Sequence, residues 1–123
     1  MKYRLILLIP MLGSLLFSMT ANSHHSIAAT YLQDAEITLE GRLVQFVFRN
    51  PHSFVHIQVE NDNGALERWA VEWTGVTALA GRGMNAATLK PGDHLVLTVH
   101  PSRAPGEQRG LMTSLSRPSD GLT

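Results

Sequence analysis

The sequence predicts an all-β domain with one short helix, arranged as an OB-like five-stranded barrel. Three observations carry this. Five stretches alternate apolar and polar side chains with a period of two, a glycine interrupts the long first stretch, and a segment with helical spacing separates the third from the fourth. A small β-sandwich is the alternative arrangement of the same strands.

In the first stretch Ile37 and Leu39 alternate with Thr38 and Glu40. After Gly41, Val44, Phe46 and Phe48 carry the apolar face. A glycine at a change of phase predicts a bend or bulge at that point, and Asn50-Pro51 ends the strand. Ser53–Glu60 follows, with Val55, Ile57 and Val59 on one face and Phe54, His56 and Gln58 on the other. Asn61-Asp62-Asn63-Gly64 reads as a hairpin turn, because Asn and Gly tolerate positive φ. Glu67–Trp73 returns, with Trp69, Val71 and Trp73 opposite Arg68, Ala70 and Glu72.

Val76, Leu79 and Ala80, spaced i, i+3, i+4 within Gly75–Gly83, predict the short helix. Leu89-Lys90-Pro91-Gly92-Asp93 is a turn. His94–His100 is the fourth strand, with Leu95, Leu97 and Val99 inward. Residues 101–109 form a polar loop and Gly110–Ser116 the last strand. The core expected from this pattern is Val44, Phe46, Val55, Ile57, Val59, Trp69, Val71, Leu95, Leu97, Val99 and Leu111.

The first residues point to export. Lys2 and Arg4 precede an apolar run of about 13 residues, Leu5 to Phe17, and small polar residues follow at once. Such a run suits a secretory signal peptide and is short for a bilayer span, so no stable membrane anchor is expected after cleavage. Ala21-Asn22-Ser23 fits a cut after Ser23, releasing a chain that starts at His24. A cut after Ala21 fits less well, because Met19 then stands where a small residue is preferred. The resulting division is a signal peptide at 1–23, an N-terminal arm at 24–35, the barrel domain at 36–117 and a tail at 118–123, in a protein of the periplasm.

With no cysteine in the chain, neither lipidation at a signal-cleavage cysteine nor a disulfide is possible. Loss of Lys2 and Arg4 moves the balance from 10 basic and 10 acidic residues to 8 against 10, a net charge of about −2 with His neutral. That is no footprint for nucleic acid, which needs a basic face. About 100 residues suffice for one domain with one core.

Six histidines stand out: His24 and His25 at the expected mature start, His52 and His56 about the start of the second strand, and His94 and His100 at the two ends of the fourth. An N-terminal His offers its amine and a ring nitrogen to one metal, and one further imidazole completes a nitrogen set of the kind Cu(II) favours. A chain starting Asn22-Ser23-His24 also chelates Cu(II), through the amine, two backbone amides and the imidazole. His24, His25 and His52 are therefore the candidate copper ligands, and a solvated polar arm is the plainer alternative.

His56 and Glu72 are secondary candidates. His52 and His56 lie about 13 Å apart if the strand is extended, so they are alternatives unless the loop bends back, and packing is the other role for His56. Glu72 is a carboxylate ligand, a partner that orients an imidazole, or a solvent-facing strand residue. Zinc has no Cys and no HExxH-type helix here. His94 and His100 read as structural or solvated. No nucleophile elbow, paired carboxylates or phosphate loop appears, so no enzyme is expected. A second class of function is a non-catalytic OB-type module for a glycan, a peptide or a partner protein, with Phe54, Trp69 and Trp73 as a stacking platform or, alternatively, as core.

Four motifs occur in order: His24-His25-Ser26 after the apolar run, Asn50-Pro51-His52, Trp69-Ala70-Val71-Glu72, and Leu89-Lys90-Pro91-Gly92-Asp93. From His24 to about Gly121 the chain resembles a family of small exported bacterial proteins grouped as a domain of unknown function, family 6152. The resemblance implies a periplasmic β-barrel and supplies no activity. Its histidine motifs fall on His24, His25 and His52. Ser23 departs from the Ala the resemblance leads one to expect at the cut.

Overall fold

Residues 27–123 are described in the computed structural model of the protein. The export segment, both cleavage positions, His24 and His25 lie outside them. The elements are α1 (Ile27–Thr30), β1 (Ile37–Val47), β2 (Phe54–Glu60), β3 (Leu66–Glu72), α2 (Val76–Gly81), β4 (His94–Pro101) and β5 (Arg109–Ser116). The strands close into a barrel in the order β1-β2-β3-β5-β4, with β1 pairing back onto β4. Every pairing is antiparallel except β3 with β5. This five-stranded closed barrel with a short helix between β3 and β4 is the OB fold, and it excludes the sandwich. The arm adds one helical turn, α1, that alternation did not predict.

Local chemistry sets the connections. In the β2–β3 hairpin Gly64 takes φ +77°, Asn61 N–H donates to the Ala65 carbonyl at 2.8 Å, and the Asn61 side chain accepts from the Asn63 and Ala65 amides. Before β4, Gly92 takes φ +92° and the Asp93 carboxylate accepts from the Lys90 amide at 3.0 Å. The Asn50 side chain accepts from the Val76 amide at 2.9 Å and so ties the β1–β2 loop to the start of α2. The Asn50-Pro51 peptide is cis.

The core comprises Leu39, Leu43, Val55, Ile57, Val71, Leu79, Met84, Leu89, Leu95, Leu97, Val99, Met112 and Leu115. It differs from the expected core where β1 changes phase. Leu43 pairs with Ile57 and Gln45 with His56, so Val44 is the extra residue of a bulge. Leu43 is buried, and Val44 is 37% exposed. The phase therefore changes at Val44, three residues after the glycine. Phe46, Val59 and Trp69 only pack against the core from its margin, and Leu111 is half-buried.

Gly41 answers a different need. It faces Val59 of β2 and Leu95 of β4 at the point where β1 serves both neighbours. A Cβ placed there would lie 2.1 Å from the Gln58 carbonyl oxygen. The strands can approach this closely only without a side chain.

At the other end of the chain Arg117 donates to Asp93 at 2.6 Å, to the Thr88 carbonyl at 2.6 Å and to Asp120 at 2.8 Å. Leu122 folds back against the core. Among the described residues no helix is long and apolar enough to cross a membrane.

Gly41→Ala should lower unfolding stability by about 1–3 kcal/mol, because a backbone oxygen must move to admit the methyl. Urea denaturation of parent and variant measures this; an unchanged midpoint would mean that the two strands can part at no cost.

Candidate functional site

Strand alternation sends Val71 into the barrel and Glu72 outward, yet Glu72 is only 8% exposed. The N-terminal arm is what covers it. Leu32 N–H donates to the Pro101 carbonyl at 2.9 Å, Arg103 N–H to the Thr30 carbonyl at 2.9 Å, and Arg103 Nε to the Ala28 carbonyl at 2.7 Å. With the arm clasped to the β4–β5 loop, Tyr31 bridges to Ser102 and is buried to 1% exposure.

Three donors converge on the carboxylate. The Tyr31 hydroxyl donates to Glu72 Oε2, Arg109 Nη2 donates to the same oxygen at 3.1 Å, and His52 Nδ1 meets Oε1. Arg109 Nε also donates to the Tyr31 hydroxyl at 3.0 Å. The register explains the convergence: Glu72 lies opposite Phe54, two residues after His52, and opposite Leu111, two residues after Arg109. Among the described residues no buried side-chain polar atom lacks a partner.

Burial alone would push the Glu72 carboxyl up. The hydrogen bonds from Tyr31, His52 and Arg109 outweigh it and hold the group below its ordinary value. The Tyr31 phenol is pushed well above its ordinary range, by burial first and then by the bond and charge of Glu72, so it stays protonated and able to donate. Burial opposes the charge on Arg109, but its contacts with Tyr31 and Glu72 raise its value. Since an ionised carboxylate only accepts, the proton of the His52–Glu72 bond sits on Nδ1, and in the neutral imidazole the lone pair is then on Nε2. Nε2 has no hydrogen-bond partner among the described residues.

Glu72 is thus an imidazole partner and not a solvent-facing residue. His56 is placed apart from that network: its ring stacks on Phe54 at a centroid distance of 6.4 Å, and burial together with Arg68 lowers its value. His94 Nε2 meets the exposed Glu40 at 2.9 Å, and His100 Nδ1 donates to the Ala35 carbonyl at 2.8 Å. No three His, Cys, Asp or Glu among the described residues group as a metal site. Tyr31 and Arg109 did not emerge from the sequence. Their only signals were an aromatic in a polar arm and a basic residue opening the last strand.

Beside His52 lies a cavity of about 340 Å³ lined by Ile27 of α1 together with Pro51, Trp73, Arg82 and Met112. The arm therefore runs alongside His52 as well as over Glu72.

Glu72→Gln should cost about 3–5 kcal/mol, because it strips a buried charge network of its acceptor. The folded value of Glu72 lies below the ordinary 4.5. Its contribution is therefore complete above that pH and is lost as pH falls through the depressed folded value. Melting curves across that range should show the variant with a flatter acid limb than the parent; parallel limbs would mean that Glu72 does not set acid stability.

In fold the chain is similar to several solved structures, among them the following two. One is the mitochondrial single-stranded DNA-binding protein Rim1 of S. cerevisiae, at 9% identity and TM-score 0.48, covering 67% of this chain and 92% of that one. The other is the N-terminal domain of PriB from Thermoanaerobacter tencongensis, at 14% identity and TM-score 0.48, covering 68% and 96% respectively. Likeness at this level concerns the fold alone. No curated protein matches the chain in sequence. The model of a family of unknown function, DUF6152, matches residues 14–113, and the chain belongs to that family.

Proposed function

We propose that the mature protein works in the periplasm as a copper-binding protein, with His52 and the histidines at its new N-terminus, His24 and His25, as the ligands. The observation that carries this reading is the pairing of His52 Nδ1 with the buried, ionised Glu72. Imidazoles that bind metals characteristically give their other ring N–H to a carboxylate, which fixes the tautomer and makes the ligating nitrogen more basic. His52 meets this condition: Nδ1 is turned to Glu72, and the side chain is 41% exposed.

Chain geometry supplies the second support. Ile27 shares a cavity with His52. His25 is two residues upstream, so roughly 7 Å of chain at most separates their Cα atoms, and roughly 11 Å separates Ile27 from His24. An amine and imidazole carried there are within reach of His52. A nitrogen set of this kind suits Cu(II). In this reading Glu72 is a positioning residue and Tyr31 holds the arm. The net charge of about −2 after signal removal argues against nucleic acid as the partner.

Native mass spectrometry of untagged protein from the periplasm should show a chain starting at His24 with one Cu(II). The His24→Ala/His52→Ala double variant should lose stoichiometric binding. Glu72→Gln, compared while still folded, should bind one copper about 10–100-fold more weakly. Undiminished binding in the double variant would overturn the proposal, as would a chain that stays metal-free when copper is added.

A further inference from the structure

The outward face of the barrel next to the Glu72 network carries a second feature that the copper reading does not use. Val55, Ile57 and Val71 fill the core, so their strand neighbours Phe54, His56 and Ala70 face outward. Ala70 lies in register between His56 of β2 and Arg109 of β5, and Val47 of β1 lies opposite Phe54. The single methyl of Ala70 leaves a notch in this row. With Arg49 closing one side, these six residues line an open groove of about 400 Å³. That volume falls within the range of sites for small molecules.

The chemistry of the walls is specific. Among the described residues the groove is lined by two guanidinium groups and no carboxylate. Arg109 is neutralised by Glu72 at 3.1 Å. Arg49 forms no ion pair with any described residue: its guanidinium carbon stands 5.3 Å from the centroid of the Phe54 ring, and its Nε makes one long bond, 3.4 Å, to the His52 carbonyl. Neither Nη bonds to a described residue, so the pair can receive a carboxylate end-on. The Phe54 and His56 rings lie within 20° of parallel and offer flat faces.

From these groups we infer that the groove binds a small organic monoanion, a carboxylate on a flat apolar body, with the carboxylate on Arg49 and the body against Phe54, His56 and Ala70. The Arg49 guanidinium matches the single carboxylate of such a molecule, and Arg68 beside His56 adds positive charge to the same face. A polyphosphate backbone would need several. At the groove β2 is paired on both sides and β3 is paired to β5 over Ala70–Glu72, so an extended peptide finds no strand edge there to add to. Burial and Arg68 keep His56 below its ordinary value, so near neutral pH its ring supplies a hydrogen bond without a second charge.

The probe is 2-naphthoate, titrated calorimetrically into copper-free protein. The outcome then does not depend on the metal ligands. Saturable one-to-one binding is expected, with 2-naphthamide, the neutral molecule of the same shape, bound at least about tenfold more weakly. Arg49→Gln, at an exposed position, should keep the parent melting temperature and weaken naphthoate at least about tenfold. Ala70→Leu should fill the notch and abolish binding. The inference is overturned by no saturable binding, by equal affinity for acid and amide, or by unchanged affinity in Arg49→Gln.

Discussion

The carboxylate of Glu72 is the point on which the rest of this structure depends. A buried negative charge is tolerated only with nearly all its acceptor capacity used. Here Tyr31, Arg109 and His52 provide that from the arm, the last strand and the β1–β2 loop. Three segments distant in sequence are thereby fixed in relation to β3. The apolar core holds the strands together, but this carboxylate decides where the arm lies and which nitrogen of His52 is left available.

Much of the barrel was legible because its signals are local. Alternation marked Val55, Ile57, Leu95, Leu97 and Val99, and all of them are buried. Asn61 and Gly64 marked the hairpin through turn chemistry that acts over a few residues. The failures were non-local. Whether β1 bulges at Gly41 or at Val44 depends on which residues of β2 stand opposite, and that register is a property of the pair. Glu72 read as potentially solvated because its cover, Tyr31, lies 41 residues away.

Among the candidate ligands, the sequence could name His52 and Glu72 by residue type but not the bond between them. His56, only four positions from His52, stands in a different environment because it lies within β2 while His52 lies in the loop before it. It stacks on Phe54 in the groove, while His52 turns to Glu72. Arg109 is common to both regions: its charge is balanced by Glu72, and its side chain still walls the groove. The outer face is thus divided electrostatically, with a compensated cation on one side and, on the other, Arg49, which has no ion-pair partner among the described residues.

The clasp at Tyr31 also changes the entropy of whatever the arm carries. A free N-terminal tail would search a large volume before meeting a group on the barrel. In the proposed mature chain, which begins at His24, an arm anchored at Tyr31 and running past His52 at Ile27 would have only a few residues of tether upstream. On that proposal, a group on so short a tether would meet His52 as an intramolecular neighbour, at an effective concentration of roughly millimolar or above. The ordering that permits this is completed when the barrel folds, because the Tyr31–Glu72 bond is part of the folded state. The course of the arm ahead of the first strand is therefore set by a carboxylate on the third strand.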